Sequence, residues 1–229
     1  MPYRRLPKTD RARIKALQVA LEKNEMSQLI ISSSLLSEVR TFLPRFVAAQ
    51  TYYKQCFENQ IKSNKKNQQN VRSARMYISH FIQVMNLCVV RAEIKAEQKD
   101  WYGLSRDVNS VPDLSTETAL LEWGGKIIKG EKERVRHGGV PIYNPTVARV
   151  AVYYDIFKEG HEQQKSLQFL TAKALERLAA MREQADRILF DVWNQVEDHF
   201  EMLAGEERLE LCRSYGVVYY YRTGEIKHK

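Results

Sequence analysis

The chain has 229 residues, 44% hydrophobic and 28% charged, with only 10 Gly and 6 Pro. That length buries a core without metal or disulfide staples. The composition excludes extended disorder, and no run approaches the roughly 18–20 apolar residues that a membrane span needs. The formal charge of +8 favours acidic partners and also serves solubility, while three cysteines far apart, Cys56, Cys88 and Cys212, fit a reducing compartment and no disulfide or zinc framework.

The opening MPYRRLPKTDRARIK has basic residues but no apolar run after them. It reads as neither signal peptide nor anchor, so the protein is expected to be soluble and cytoplasmic, with no membrane partner. Within residues 1–27, Thr9 caps a predicted helix running to about Glu22, with Ile14, Leu17 and Leu21 on one face. Leu29, Ile30 and Ile31 follow as a short apolar run that reads as a strand, ending in serines suited to cap the next helix.

Residues 33–95 are predicted to form a first helical hairpin. Its arms are marked by Leu36, Val39, Leu43, Phe46, Val47, Tyr53 and Phe57, then by Val71, Ala74, Ile78, Ile82, Met85 and Val89, and the polar run KSNKKNQQN at 62–70 reads as its tip. Pro44 is expected to bend the first arm. Residues 96–144 read as a connector with a short helix, capped by Ser115 and ending near Arg136, in which the Gly124–Gly125 pair suggests close approach of a neighbour. Asn144 and Pro145 together predict a helix start. Residues 145–204 read as a second hairpin with its turn near 165–171, although one or two helices remain open there.

The strongest strand signal is YGVVYYYR near the end, where residues 214–229 read as strand and tail and Val217, Tyr219 and Tyr221 share one face. Leu29–Ile31 is its best partner inside the chain, with VPIY at 140–143 weaker because Pro141 cannot donate to a ladder. The expected fold is therefore all-α: one domain, an up-and-down four-helix bundle of two long helical hairpins with extra peripheral helices and a small two-stranded β element near the termini. The predicted core includes Phe46, Ile78, Ile82, Met85, Leu178, Leu189, Val192 and Val196.

MPYRRLPKTDRARIKAL, ARMYISHFIQVMN, the NPT helix start and YGVVYYYR together resemble a family of uncharacterised helical proteins found mainly in Bacteroidetes. The similarity covers nearly the whole chain. It implies a helical fold and brings no activity to any position.

A di-iron centre in a bundle needs Glu-x-x-His pairs, yet His80, His137, His161 and His199 follow Tyr77, Arg134, Lys158 and Val196 three residues earlier. The sole such pair, Glu225 and His228, lies in the polar tail. His80 reads as a boundary residue, and Glu197 and Asp198 of NQVEDHFE as a solvated face. WGGK and RHGGV lack the spacing of a phosphate loop, and the serines of ISSS have no assigned base. No catalytic, cofactor-binding or metal-ligating residue is assigned, and no cofactor is expected.

Two basic runs, residues 1–15 and 54–75, each carry a net charge of +5. They are the basis of one alternative, a nucleic-acid-binding protein using basic N-terminal and hairpin-tip residues. An enzyme with an unrecognised site is another. The leading expectation is a non-enzymatic structural or protein-interaction module, with a protein partner or self-association by strand addition at Val217–Tyr221.

Overall fold

The computed structural model describes residues 2–26, 29–203 and 205–221. In chain order the elements are β1 (Tyr3–Arg4), α1 (Asp10–Met26), α2 (Ser33–Val90), a 3-10 segment (Ala96–Tyr102), α3 (Glu117–Arg136), α4 (Val147–Ala180), α5 (Arg182–His199), α6 (Gly205–Ser214) and β2 (Tyr219–Tyr220). The chain divides into two compact units, one of residues 1–57 and 170–229, the other of residues 58–169. Helices α2 and α4 contribute to both.

The turns expected at 62–70 and 165–171 are absent, because α2 and α4 run unbroken through them. An up-and-down bundle of two hairpins needs those turns. The physical reason is composition: neither stretch contains Gly or Pro, and a solvated polar run continues a helix as readily as it ends one. The helix also passes through Pro44, and the real break in the second half falls at Met181, between α4 and α5. Caps shift by a residue or two. Thr9 accepts from the Ala12 amide at 3.2 Å as expected, whereas Thr116, not Ser115, caps α3, and Thr146, not Asn144, receives the Arg149 amide at 3.3 Å.

In the first unit, Leu17 of α1, Phe42 and Phe46 of α2, and Ile188, Val192 and Trp193 of α5 form the centre of the core. Ion pairs edge it. Arg13 takes both carboxylate oxygens of Asp186, at 2.7 and 2.9 Å, and Arg182 takes both of Asp10 at 2.8 Å, so α1 and α5 are clamped twice.

The second unit buries Ile78, Phe81, Ile82 and Met85 of α2 against Leu120 and Ile127 of α3 and Val150 and Phe157 of α4. Gly124 makes the predicted close approach, since a β-carbon there would sit 2.3 Å from the Tyr154 ring. All eight predicted core residues are buried, but they divide between the two cores: Phe46, Leu178, Leu189, Val192 and Val196 in the first, Ile78, Ile82 and Met85 in the second.

The strand near the end pairs with the start of the chain, not with residues 29–31. Tyr3 lies opposite Tyr220 and Arg4 opposite Tyr219 in an antiparallel ladder, extended by the Arg5 amide to the Val218 carbonyl at 3.0 Å. The proposed partner is occupied otherwise: the Ile30 and Ile31 amides both donate to Asn24 Oδ1, and the Ser32 amide to Gln195 Oε1. Side-chain carbonyls have taken the donors that a ladder would need. Gln28, also assigned to that strand, lies outside the described residues, as do Glu225 and His228 of the tail. Facial alternation does hold, with Val217 buried, Tyr219 and Tyr221 half-buried, and Val218 and Tyr220 exposed.

Candidate docking groove

A two-residue ladder has little stability of its own, so side chains must hold it. Glu197 of α5 does most of this. Its carboxylate accepts from Arg4 at 2.8 Å and from the Tyr219 hydroxyl, binding one residue of each strand to the same helix. Arg4 also lies 4.7 Å over the Phe190 ring. Burial, then the Glu197 carboxylate, pushes the Tyr219 phenol well above its ordinary range, and burial pushes up the Cys212 thiol beside it. Glu197, expected on a solvated face, is instead the anchor of both chain ends.

Beyond Arg5 and Val218 the two segments part, and a groove of about 560 Å³ opens between them. Its floor is the face of α1 carrying Ala12, Ala16 and Val19. Leu6 and Pro7 form one wall, and Gly216, Val217 and Val218 the other. Gly216 is needed at that corner: its φ of +87° is left-handed, and a β-carbon would meet the Ala16 carbonyl oxygen at 3.1 Å. Four cations stand round the apolar lining, Arg5, Lys8, Lys15 and Arg213, and none of the described lining residues is acidic. Arg213 already holds Glu206 at 2.9 Å, and Arg5 lies 5.4 Å over the Tyr220 ring. Both the basic start of the chain and the strand near its end stand out in the sequence. Their meeting does not, because Tyr-Arg at 3–4 is too short to read as a strand.

Two clusters of buried charge are structural. In the second unit Glu131 and Arg134 are sealed together, at 2.9 and 3.0 Å, with the Tyr102 hydroxyl donating to Glu131 and accepting from Arg134 at 2.7 Å. The same pair takes the Ile142 amide and the Val140 carbonyl, which pins the loop before α4. Both oxygens of Glu131 and the Nε and Nη2 of Arg134 are used within the network. Lys99, fully buried and with its amine pushed down by that burial, ties Val108 and Asn109 at 2.6 and 3.0 Å.

His161 Nδ1 meets Glu117 at 2.5 Å, a base and its orienting carboxylate that the spacing of the sequence did not suggest. Its Nε2 is covered by protein, so no substrate proton is within reach. His80 and His199 are exposed, His199 edge-on to Phe200, as is Asp198. Ser32, Ser34, Glu38, Asp191 and Asn194 line a polar depression of about 390 Å³, in which Glu38 holds Arg187 at 2.8 Å and the Ser32 hydroxyl meets Ser34 and Gln195. Among the described residues no three His, Cys, Asp or Glu are grouped to hold a metal ion, and no helix is long and apolar enough to cross a membrane.

No family model, no curated protein and no solved structure matches this chain. The groove is therefore interpreted on its own chemistry.

Proposed function

We propose that this chain is a non-enzymatic protein-interaction module, with the groove beside the β1–β2 ladder as its docking surface. One observation carries this reading: an apolar trough bordered by cations, assembled from residues 5–8, α1 and the turn at 213–218. Strand addition at Val217–Tyr221 is the second reading, since β1 takes one edge of β2 and the two-stranded ladder leaves the other.

The nucleic-acid reading has less support. Arg4 and Arg13 of the basic N-terminal run are spent on Glu197 and Asp186, and Arg75 of the second run holds the Leu114 and Ser115 carbonyls at 2.8 Å. Those three cations are not free to track a phosphate backbone.

The test compares affinity capture from native cell extract by the full chain and by its Ala12→Trp variant, each with and without nuclease. Ala12 is exposed in the first turn of α1, so the new ring fills the trough without touching the core. A protein captured despite nuclease and lost with Ala12→Trp is the expected result. Capture abolished by nuclease, or indifferent to the tryptophan, contradicts the reading.

A further inference from the structure

We propose that the occupant of this groove is an acidic peptide segment: one large apolar side chain flanked on both sides by carboxylates. The inference rests on the docking reading above and adds the chemistry of the partner.

The trough supplies the first half of the specificity. Ala12, Ala16 and Val19 recur at helical spacing on α1 and line the groove with Leu6 and the exposed Val218, so its apolar lining is aliphatic carbon. A Phe or Leu side chain laid there exchanges water for apolar contact on three sides.

The rim supplies the second half. Arg5, Lys8, Lys15 and Arg213 are the charged residues of the lining, and with Arg213 already on Glu206 it is Arg5, Lys8 and Lys15 that are left to meet carboxylates. Glu206 already shows how a carboxylate is taken at this edge, bound by Arg213 at 2.9 Å. Exposed ion pairs are individually weak and salt-sensitive. Their role is to steer and align the segment, while the anchor holds it.

Other anionic occupants fit less well. A nucleic acid would gain from stacking bases, yet the lining holds no aromatic ring, and the Tyr220 ring is covered by Arg5 at 5.4 Å. A small amphiphile wants a site that encloses most of its surface, whereas Arg5, Lys8, Ala12, Lys15 and Val218 are all exposed. A peptide needs only one face covered.

The experiment titrates the full chain into four labelled probes and reads anisotropy at low and physiological salt. The probes are a heptapeptide of alternating Asp and Glu with a central Phe, the same peptide with every carboxylate replaced by its amide, the same acidic peptide with Ala for Phe, and a twelve-nucleotide oligouridine. The acidic Phe peptide should bind at least tenfold more tightly than each of the other three, and more weakly as salt rises. Lys8→Glu with Lys15→Glu should weaken it at least tenfold, and Ala12→Trp should abolish it, both with unchanged thermal melts. Equal binding of the amide peptide, tighter binding of the RNA, no binding of any peptide, or indifference to the variants overturns the assignment. If capture from extract depends on Ala12 while the acidic Phe peptide does not bind, the partner chemistry falls and the docking surface stands. If capture ignores Ala12→Trp, the docking surface itself falls.

Discussion

The two units use charge in opposite ways. In the second, Glu131 and Arg134 have side chains only 1% and 2% exposed and are hydrogen-bonded to each other, to Tyr102 and to two backbone groups. In the first, Arg4 with Glu197 and Arg13 with Asp186 lie at the border of the core, between 11% and 31% exposed. A sealed pair is costly to desolvate and tolerates no missing partner, so it specifies one loop geometry. Border pairs are cheaper and more forgiving, and the cations left over face solvent. The difference separates a sealed pair that fixes a loop in the second unit from border pairs in the first that stand beside the exposed Lys8 and Lys15.

The most damaging change to the first unit should be truncation after Ser214. It removes the buried side chains of Tyr215 and Val217, worth roughly 3–6 kcal/mol together at about 1.5–3 each, and it strips β1 of its ladder. Denaturant melts should show the loss, and amide exchange should accelerate at residues 3–5 while Ile30 and Ile31, held by Asn24, stay protected. Loosening at Ile30 and Ile31 instead would restore the pairing rejected above.

The counterpart in the second unit is Glu131→Leu, which leaves the Arg134 guanidinium buried without its carboxylate and should cost about 3–5 kcal/mol. Adding Arg134→Met should recover part of that loss, since two apolar residues no longer strand a charge. A double variant as unstable as the sum of two singles would mean the network is not acting as one unit.

Tyr219→Phe deletes one bond to Glu197 in a border setting, and a smaller cost of about 1–3 kcal/mol is expected by chemical denaturation. Tyr219 also shares a pH effect with Tyr102. Both phenols are held neutral with raised pKa values, chiefly by burial, so their contribution is complete below the unfolded tyrosine value of about 10 and is lost as pH rises above it. Melting temperature should fall above that pH, and less steeply in the Tyr219→Phe variant. Smallest of all is Lys8→Glu with Lys15→Glu, which should change stability by no more than about 0.5 kcal/mol, because both side chains are exposed. A larger loss would mean these cations belong to the fold and are not free for a ligand.

Helical class, the eight core residues, the Thr9 cap and the alternation of the terminal strand were all legible in the sequence. They depend on local spacing: 3.6 residues per turn or two per strand repeat, read within a window of a dozen residues. The close approach at Gly124 was legible for the same reason, as glycine in a helix calls for an explanation. Where elements end was less clear. Polarity at 62–70 looked like a tip, but backbone hydrogen bonds run on through a polar segment that carries no helix breaker. Contacts between distant residues were decided by tertiary structure alone. The sequence shows that Val217–Tyr221 needs a partner, but the choice between Leu29–Ile31 and Tyr3–Arg4 turned on Asn24 and Gln195 taking the amides of the former and Glu197 gripping both strands of the latter. The groove follows from that choice. Each of its residues is ordinary in sequence, and only the meeting of the two chain ends sets apolar carbon and positive charge around the same trough.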